Sequence, residues 1–535
     1  MKLNQLLCAI AILLMATGCK QGYDKREETT ETVETMQAPA SLKDESEVKA
    51  DMNVAAEPEV QHNTEEYDNV VENDFKGAKA NPLSTFSIDV DNASYSNVRR
   101  IIESGSLPEK GAVRIEEFIN YFTYNYPQPA GNDPFSITTE VWNAPWKKGH
   151  QLVRIGLQGK SIDYENLKPS NLVFLLDTSG SMESPEKLPL LRDAFMLMVD
   201  NLSPGSRVAI VTYAGSAGLV LPGTSVDNKS AIKKALESLH AEGSTAGGQG
   251  LELAYKTASE NFIKDGNNRV ILATDGDFNV GVSSRSGLMD LIQKNKGKDI
   301  FLTICGFGMG NYKDSSMEEI SNWGDGNYFY IDSMKEAKKV FSKELTANLF
   351  VIAKDVKIQV EFNPAQVQAY RLIGYENRVL NNEDFNDDLK DAGELGAGHR
   401  VTALYEVVPV GVAFKGGNVD KLKYQKPGET VASAGNEMMT VKLRYKPIKS
   451  DKSILLQKVI AAKSVNWQNA SQDSKFVTAV AGFGMLLRDS KYKGTTDYKI
   501  INQLAREGLK DDAEGYRKEF IALIESAEKL SKPSL

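Results

Sequence analysis

The sequence predicts a multi-domain α/β protein: a doubly wound α/β domain inserted in a β-sandwich, with helical N- and C-terminal units. Three observations lead there. From Asn171 onward, continuous apolar runs such as "NLVFLL" alternate with amphipathic stretches such as "LPLLRDAFMLMVDNL". On either side of that region the apolar residues recur every second position, in "HQLVRIGLQG" before it and "VTALYEVVPV" after it. Near the C-terminus, Phe476, Val480, Phe483 and Leu487 share one helical face, as do Tyr516, Phe520, Leu523, Ala527 and Leu530. Unalternated Val, Ile and Leu runs suit a sheet covered on both faces, and helices between them imply right-handed crossovers. A chain of 535 residues with 41% apolar composition exceeds one core and can bury several.

The chain opens on "MKLNQLLCAIAILLMATGCK", a lysine, an apolar stretch too short for a comfortable membrane span, and small residues running into Cys19. This resembles a bacterial lipoprotein signal, although Ala16 stands where leucine is commonest. The resemblance implies that residues 1–18 are removed and Cys19 is lipidated. Each buried lipid methylene contributes about 0.8 kcal/mol, so several chains hold a body at a membrane without a spanning helix. The expected location is the bacterial cell envelope, on the periplasmic or cell-surface side. An ordinary cleaved signal peptide is the alternative. Residues 19–80, rich in Glu, Thr, Lys and Ala, show no periodicity and read as a disordered acidic tether.

Most of the net charge of −9 falls in that tether. The rest of the chain is close to neutral, which excludes a basic footprint for nucleic acid. Of the three cysteines, Cys8 and Cys19 belong to the N-terminal run, leaving Cys305 alone in "DIFLTICGFG" as a small core hydrophobe with no disulfide partner.

Residues 81–133 read as a mainly helical unit, with helices at "SYSNVRRIIESG" and "RIEEFINYF". The acidic "DVDNAS" lacks the glycine and distal glutamate of a calcium loop and reads as a helix cap. Residues 134–165 hold the first strands of the sandwich, 166–350 the α/β domain, 351–448 the remaining sandwich strands ("VKIQVEFN", "VQAYRLIGY", "MMTVKLRY"), and 449–535 a closing helical unit.

In doubly wound folds ligands gather beyond the carboxyl ends of the strands, where strand order reverses. Three polar segments fall at such ends: Asp177-x-Ser179-x-Ser181 after the first strand, Thr245 in the glycine-rich "EGSTAGGQG", and Asp275 after "RVILAT". By themselves the serines also suit turn and capping chemistry, and Ser184-Pro185 reads as a cap followed by a first helical residue.

The ordered set Asp177, Ser179, Ser181, Thr245 and Thr274-Asp275-Gly276 resembles the metal-ion-dependent adhesion site of von Willebrand factor type A (VWA) domains, which are Rossmann-like. The resemblance implies that Ser179, Ser181 and Thr245 contact a metal directly or by water, while Asp177 and Asp275 act largely through water. Oxygen ligands without sulfur or imidazole select a hard cation, Mg²⁺ first, with Mn²⁺ or Ca²⁺ as alternatives. Such an ion, held mainly by neutral hydroxyls, keeps a position for an Asp or Glu carboxylate from a protein partner. Asp277 and Asn279, just beyond, stand where they would hydrogen-bond the ligands or simply close the loop. Across residues 83–497, "FSIDVDNASYSNVRRII", "LATDGDFNVG" and "AVAGFGMLLRDSKYKG" also resemble the YfbK-like group of bacterial proteins.

The expected function is therefore an envelope lipoprotein that binds a protein partner through the metal site, in adhesion or complex assembly. A structural envelope scaffold, or an accessory subunit of an envelope enzyme, is the alternative. No Walker loop or G-x-S-x-G elbow is present, and His62, His150, His240 and His399 have no metal-ligand spacing, so the sequence predicts no enzyme.

Overall fold

The computed structural model describes residues 65–88, 91–243, 247–276, 285–309, 313–414, 435–510 and 512–532. The signal, Cys19, most of the tether, Thr245, Asp277 and Asn279 lie outside the described residues.

The apolar runs from Ser170 onward form one six-stranded sheet in the order Tyr328–Ile331, Ile300–Phe307, Asn267–Thr274, Ser170–Asp177, Arg207–Tyr213, Ala217–Ser225. Every pairing is parallel except the last, where Ala217–Ser225 runs antiparallel along Arg207–Tyr213. Both faces are covered, as the unalternated runs require. Leu172, Phe174 and Leu176 pack with the helix Leu188–Asp200 on one side, and Val173 and Leu175 with the helix Gly247–Glu260 on the other. Cys305 is buried in this core.

The chain leaves a β-sandwich after Gln151–Gly159 and re-enters it at Val351–Phe362. One sheet runs Lys76–Gly77, Val367–Ile373, Arg400–Pro409, Gln151–Gly159, Phe135–Asn143. The other runs Val379–Leu380, Leu83–Ser87, Val351–Phe362, Glu437–Pro447, Ile454–Ala461. Their inward residues form one core in which Phe362 stacks on Tyr370 with ring centroids 3.9 Å apart.

Three boundaries differ from the sequence reading. Residues 65–80 belong to the folded body rather than to the tether, because a few side chains anchor them. Phe75 packs edge-on against His150, Phe414 and Tyr492, and the Asn73 amide donates to the carbonyls of Leu372 and Gly374. Ile454–Ala461, expected in the helical closing unit, is a strand along Glu437–Pro447. The N- and C-terminal helices do not form separate units. Ala93–Glu103, Ile115–Tyr121, Gln472–Leu487, Tyr498–Glu507 and Tyr516–Leu530 share one aromatic core around Tyr95, Phe118, Phe122, Phe476, Phe483 and Phe520.

A buried guanidinium ties that helical core to the α/β domain. Arg99, 3% exposed, donates to Asp332 at 2.6 and 2.8 Å, to Glu336 at 2.8 Å, to Glu519 at 2.8 Å and to the Tyr121 hydroxyl at 2.9 Å. Asp332 follows the last strand of the central sheet, and Glu336 lies in the helix Met334–Lys338 just after it.

Candidate metal centre

Asp177 is the last residue of the strand Ser170–Asp177, whose apolar run buries it completely. The neighbouring strand ends at Thr274, which delivers Asp275 to the same end of the sheet. These two strands lie where the strand order reverses, since the chain builds outward from Ser170–Asp177 in one direction and then the other.

Asp177 organises the turn that follows it. Its Oδ1 accepts the Ser179 amide at 2.9 Å and the Ser179 hydroxyl at 2.7 Å, while its Oδ2 accepts from the Thr274 hydroxyl at 3.3 Å. The Ser179 and Ser181 hydroxyl oxygens converge to 3.0 Å, with Ser179 buried and Ser181 exposed. Neither serine is used as a cap. The short 3-10 turn Gly180–Glu183 follows Ser179 without a side-chain capping bond, and the α-helix begins only at Leu188. The capping reading of Ser184-Pro185 is thereby corrected, because the helix starts beyond that pair. The same holds for "DVDNAS": Asp91 accepts the Tyr328 amide at 2.8 Å and pairs with Arg378 at 3.2 Å rather than capping the following helix.

Burial pushes the Asp177 carboxyl up to about 6 against the pull of the Ser179 hydrogen bonds, and the Asp275 charge adds to the rise. The site is thus short of positive charge. Asp275, 1% exposed, has one oxygen on Lys187 Nζ at 2.9 Å and a buried Oδ1 with no hydrogen-bond partner among the described residues. Convergent hydroxyls, an orphaned carboxylate oxygen and an all-oxygen donor set fit a hard divalent cation. The structure brings Asp177, Ser179, Ser181 and Asp275 to one strand-end cluster.

Lys187 escaped the sequence reading. Its stem lies across Gly308, which has φ +75° and where a Cβ would stand 2.4 Å from Lys187 Cγ and Cε. Only the fold-back between Ser184 and Leu188 brings this lysine to Asp275, and no spacing rule announces it. Lys187→Met is expected to tighten Mg²⁺ binding roughly tenfold or more, the effect of removing one positive charge a few ångströms from a divalent ion. Isothermal titration measures it, and an unchanged affinity would show that the ammonium does not face the ion.

Among the described residues, one group of three carboxylates stands close enough to share an ion: Asp325, Asp391 and Glu394. Lys296 already occupies it, 2.5 Å from Asp325 and 2.7 Å from Asp391. Two histidines have structural surroundings. His150 Nδ1 lies 2.6 Å from Glu406, which Arg371 also contacts at 3.0 Å. His399 is pushed down to about 4 by burial, with Lys339 and Arg400 adding repulsion. A histidine kept neutral in the fold lets the unfolded chain bind the extra proton, so its contribution is full above pH 6.5 and is lost as pH falls toward 4. His399→Gln is expected to reduce the acid-side loss of stability across that window, read from urea unfolding at pH 7 and pH 4.

A six-stranded sheet with one antiparallel edge, carrying an Asp-x-Ser-x-Ser turn at its switch point, defines a VWA domain. Residues 171–343 match the family described as "von Willebrand factor type A domain". The chain belongs to the YfbK family: it is 42% identical over 473 residues to "Uncharacterized protein YfbK" of Escherichia coli (strain K12), covering 87% of this chain and 81% of that protein. Residues 347–530 match the family described as "Uncharacterized protein YfbK, C-terminal", and residues 61–154 one described as "von Willebrand factor". The chain is also 30% identical over 190 residues to "Uncharacterized protein sll0103" of Synechocystis sp., covering 35% of this chain and 44% of that protein. Among solved structures, "von Willebrand factor type A from Catenulispora acidiphila" aligns at 18% identity and a TM-score of 0.39, covering 72% of this chain and 88% of that chain. VWA domains are protein-interaction domains, and such a domain points to binding rather than catalysis.

Proposed function

We propose that this protein is an envelope lipoprotein, tethered through Cys19, that captures a protein partner through a divalent metal held at Asp177, Ser179, Ser181, Thr245 and Asp275. The observation that carries this reading is the pairing of the exposed Ser181 hydroxyl with the buried Ser179 hydroxyl at 3.0 Å, beside the unpartnered Oδ1 of Asp275. Asp177 orients Ser179 by accepting from its amide and hydroxyl together, so the lone pairs of that hydroxyl stay available to an ion. Asp275 supplies charge from the neighbouring strand end, and the exposed Ser181 marks the open side. When bound, Mg²⁺ supplies Lewis acidity toward an Asp or Glu carboxylate of the partner. The Arg99 cluster joins the domain's last strand and helix to the helical core, which favours a fixed platform over a moving one.

The test is a pull-down from envelope extract with Mg²⁺ or EDTA, using wild type beside Asp177→Ala. Partners captured by wild type in Mg²⁺ are expected to be lost with EDTA and with the variant. A partner set unchanged by both would contradict metal-bridged binding.

A further inference from the structure

Away from the metal centre, a cavity of about 320 Å³ opens where the helix Ile115–Tyr121, the helix Asp314–Trp323 and the turn Glu376–Arg378 meet. Its walls include Arg114, Glu116, Glu318 and Glu376. The charge at this junction does not balance. Six carboxylates, Asp91, Glu116, Glu117, Asp314, Glu318 and Glu376, are buried or nearly so around three guanidiniums, Arg114, Arg378 and Arg488. Arg114 is taken up by Glu117 and Asp314, Arg378 by Asp91 and Glu318, and Arg488 contacts Glu376 at 3.1 Å.

Glu116 has no direct ion-pair partner among the described residues: its own backbone amide and that of Tyr375 hydrogen-bond its carboxylate, and the Arg488 charge acts on it from beside Glu376. Glu116 is 3% exposed, lines the cavity, and its buried Oε2 has no hydrogen-bond partner. Glu72 likewise has a buried carboxylate oxygen without one, and its charge bears on Glu376. Burial, with the Glu376 charge added, pushes the Glu116 carboxyl up to about 7, so the fold holds this charge reluctantly when nothing neutralises it.

We propose that this cavity binds an organic cation, a guanidinium or primary ammonium head group, with Glu116 as its main counter-charge and Glu376 as the second. A bare metal ion fits less well. No three carboxylate, histidine or cysteine ligand atoms come within 4.8 Å of one another here among the described residues, whereas the volume admits a head group with a short stem. A free small molecule and the tip of a partner's Arg or Lys side chain share this chemistry.

Isothermal titration of the full chain at pH 8 separates the cases, using agmatine, the blocked tripeptide acetyl-Gly-Arg-Gly-amide, and n-butylurea as a neutral control. Agmatine binding alone identifies a small-molecule site, and tripeptide binding of equal or greater strength identifies a side-chain site. Either is expected to weaken at least tenfold in Glu116→Gln and in Glu376→Gln, and to be unchanged in Asp177→Ala. The last arm keeps this site distinct from the metal centre. If neither cation binds more tightly than n-butylurea, or binding survives both glutamine substitutions, the proposal is overturned.

Discussion

Asp177→Ala is expected to weaken Mg²⁺ binding by roughly 10–100-fold, the usual cost of removing a group that orients metal ligands. The cause lies in the hydrogen bonds rather than in charge alone. Asp177 accepts the amide and hydroxyl of Ser179 and the hydroxyl of Thr274, so its loss frees both strand ends to reorient. Thermal unfolding reads the same change. A free ion at a hundred times its Kd stabilises the native state by about 2.7 kcal/mol, and the variant forfeits most of that gain at equal Mg²⁺. In the absence of metal the variant loses the hydrogen bonds to Ser179 and Thr274, a cost offset in part by removing a carboxylate that its burial disfavours, so the loss is expected to be smaller than in Mg²⁺. A variant that lost stability equally with and without Mg²⁺ would place Asp177 in the scaffold alone.

Arg99→Met should cost roughly 3–5 kcal/mol of folding stability, the range for breaking a buried ion pair from one side. One guanidinium serves Asp332, Glu336 and Glu519, which belong to three different helices or strand ends. Its removal leaves Asp332 and Glu336 without their shared cation, while Glu519 keeps Lys335. Burial already holds Asp332 above the usual carboxylate range even with Arg99 present. Arg99→Lys is expected to recover only part of the loss, since a single ammonium cannot reproduce the planar fork that grips both Asp332 oxygens. Urea unfolding of both variants measures the effect, and a cost under 1 kcal/mol for Arg99→Met would show that the α/β domain and the helical core stand independently.

The central sheet was legible because its strands carry unbroken apolar runs, and burial on both faces leaves no other reading for "NLVFLL" or "RVILAT". The position of Asp177, Ser179 and Ser181 followed from the same logic, as polar residues directly after such a run. Ile454–Ala461 was hidden for the opposite reason. As the outer strand of its sheet it keeps Ile454, Leu455 and Val459 exposed, so no two-residue pattern marks it. Residues 65–80 were hidden by composition, since Tyr67, Asn73 and Phe75 anchor a segment whose average looks like a tether. The merging of the N- and C-terminal helices could not be read from stripes alone, because an apolar face does not name its partner. Lys187 and the Arg99 cluster depend on tertiary proximity and leave no local trace.

The most direct test of the metal centre is anomalous diffraction from crystals soaked in Mn²⁺. A peak is expected within coordination distance of the Ser179 and Ser181 hydroxyls, on the Asp275 side of the strand ends. No peak there, with Lys187 Nζ still seated on Asp275 and Ser181 turned to solvent, would contradict it.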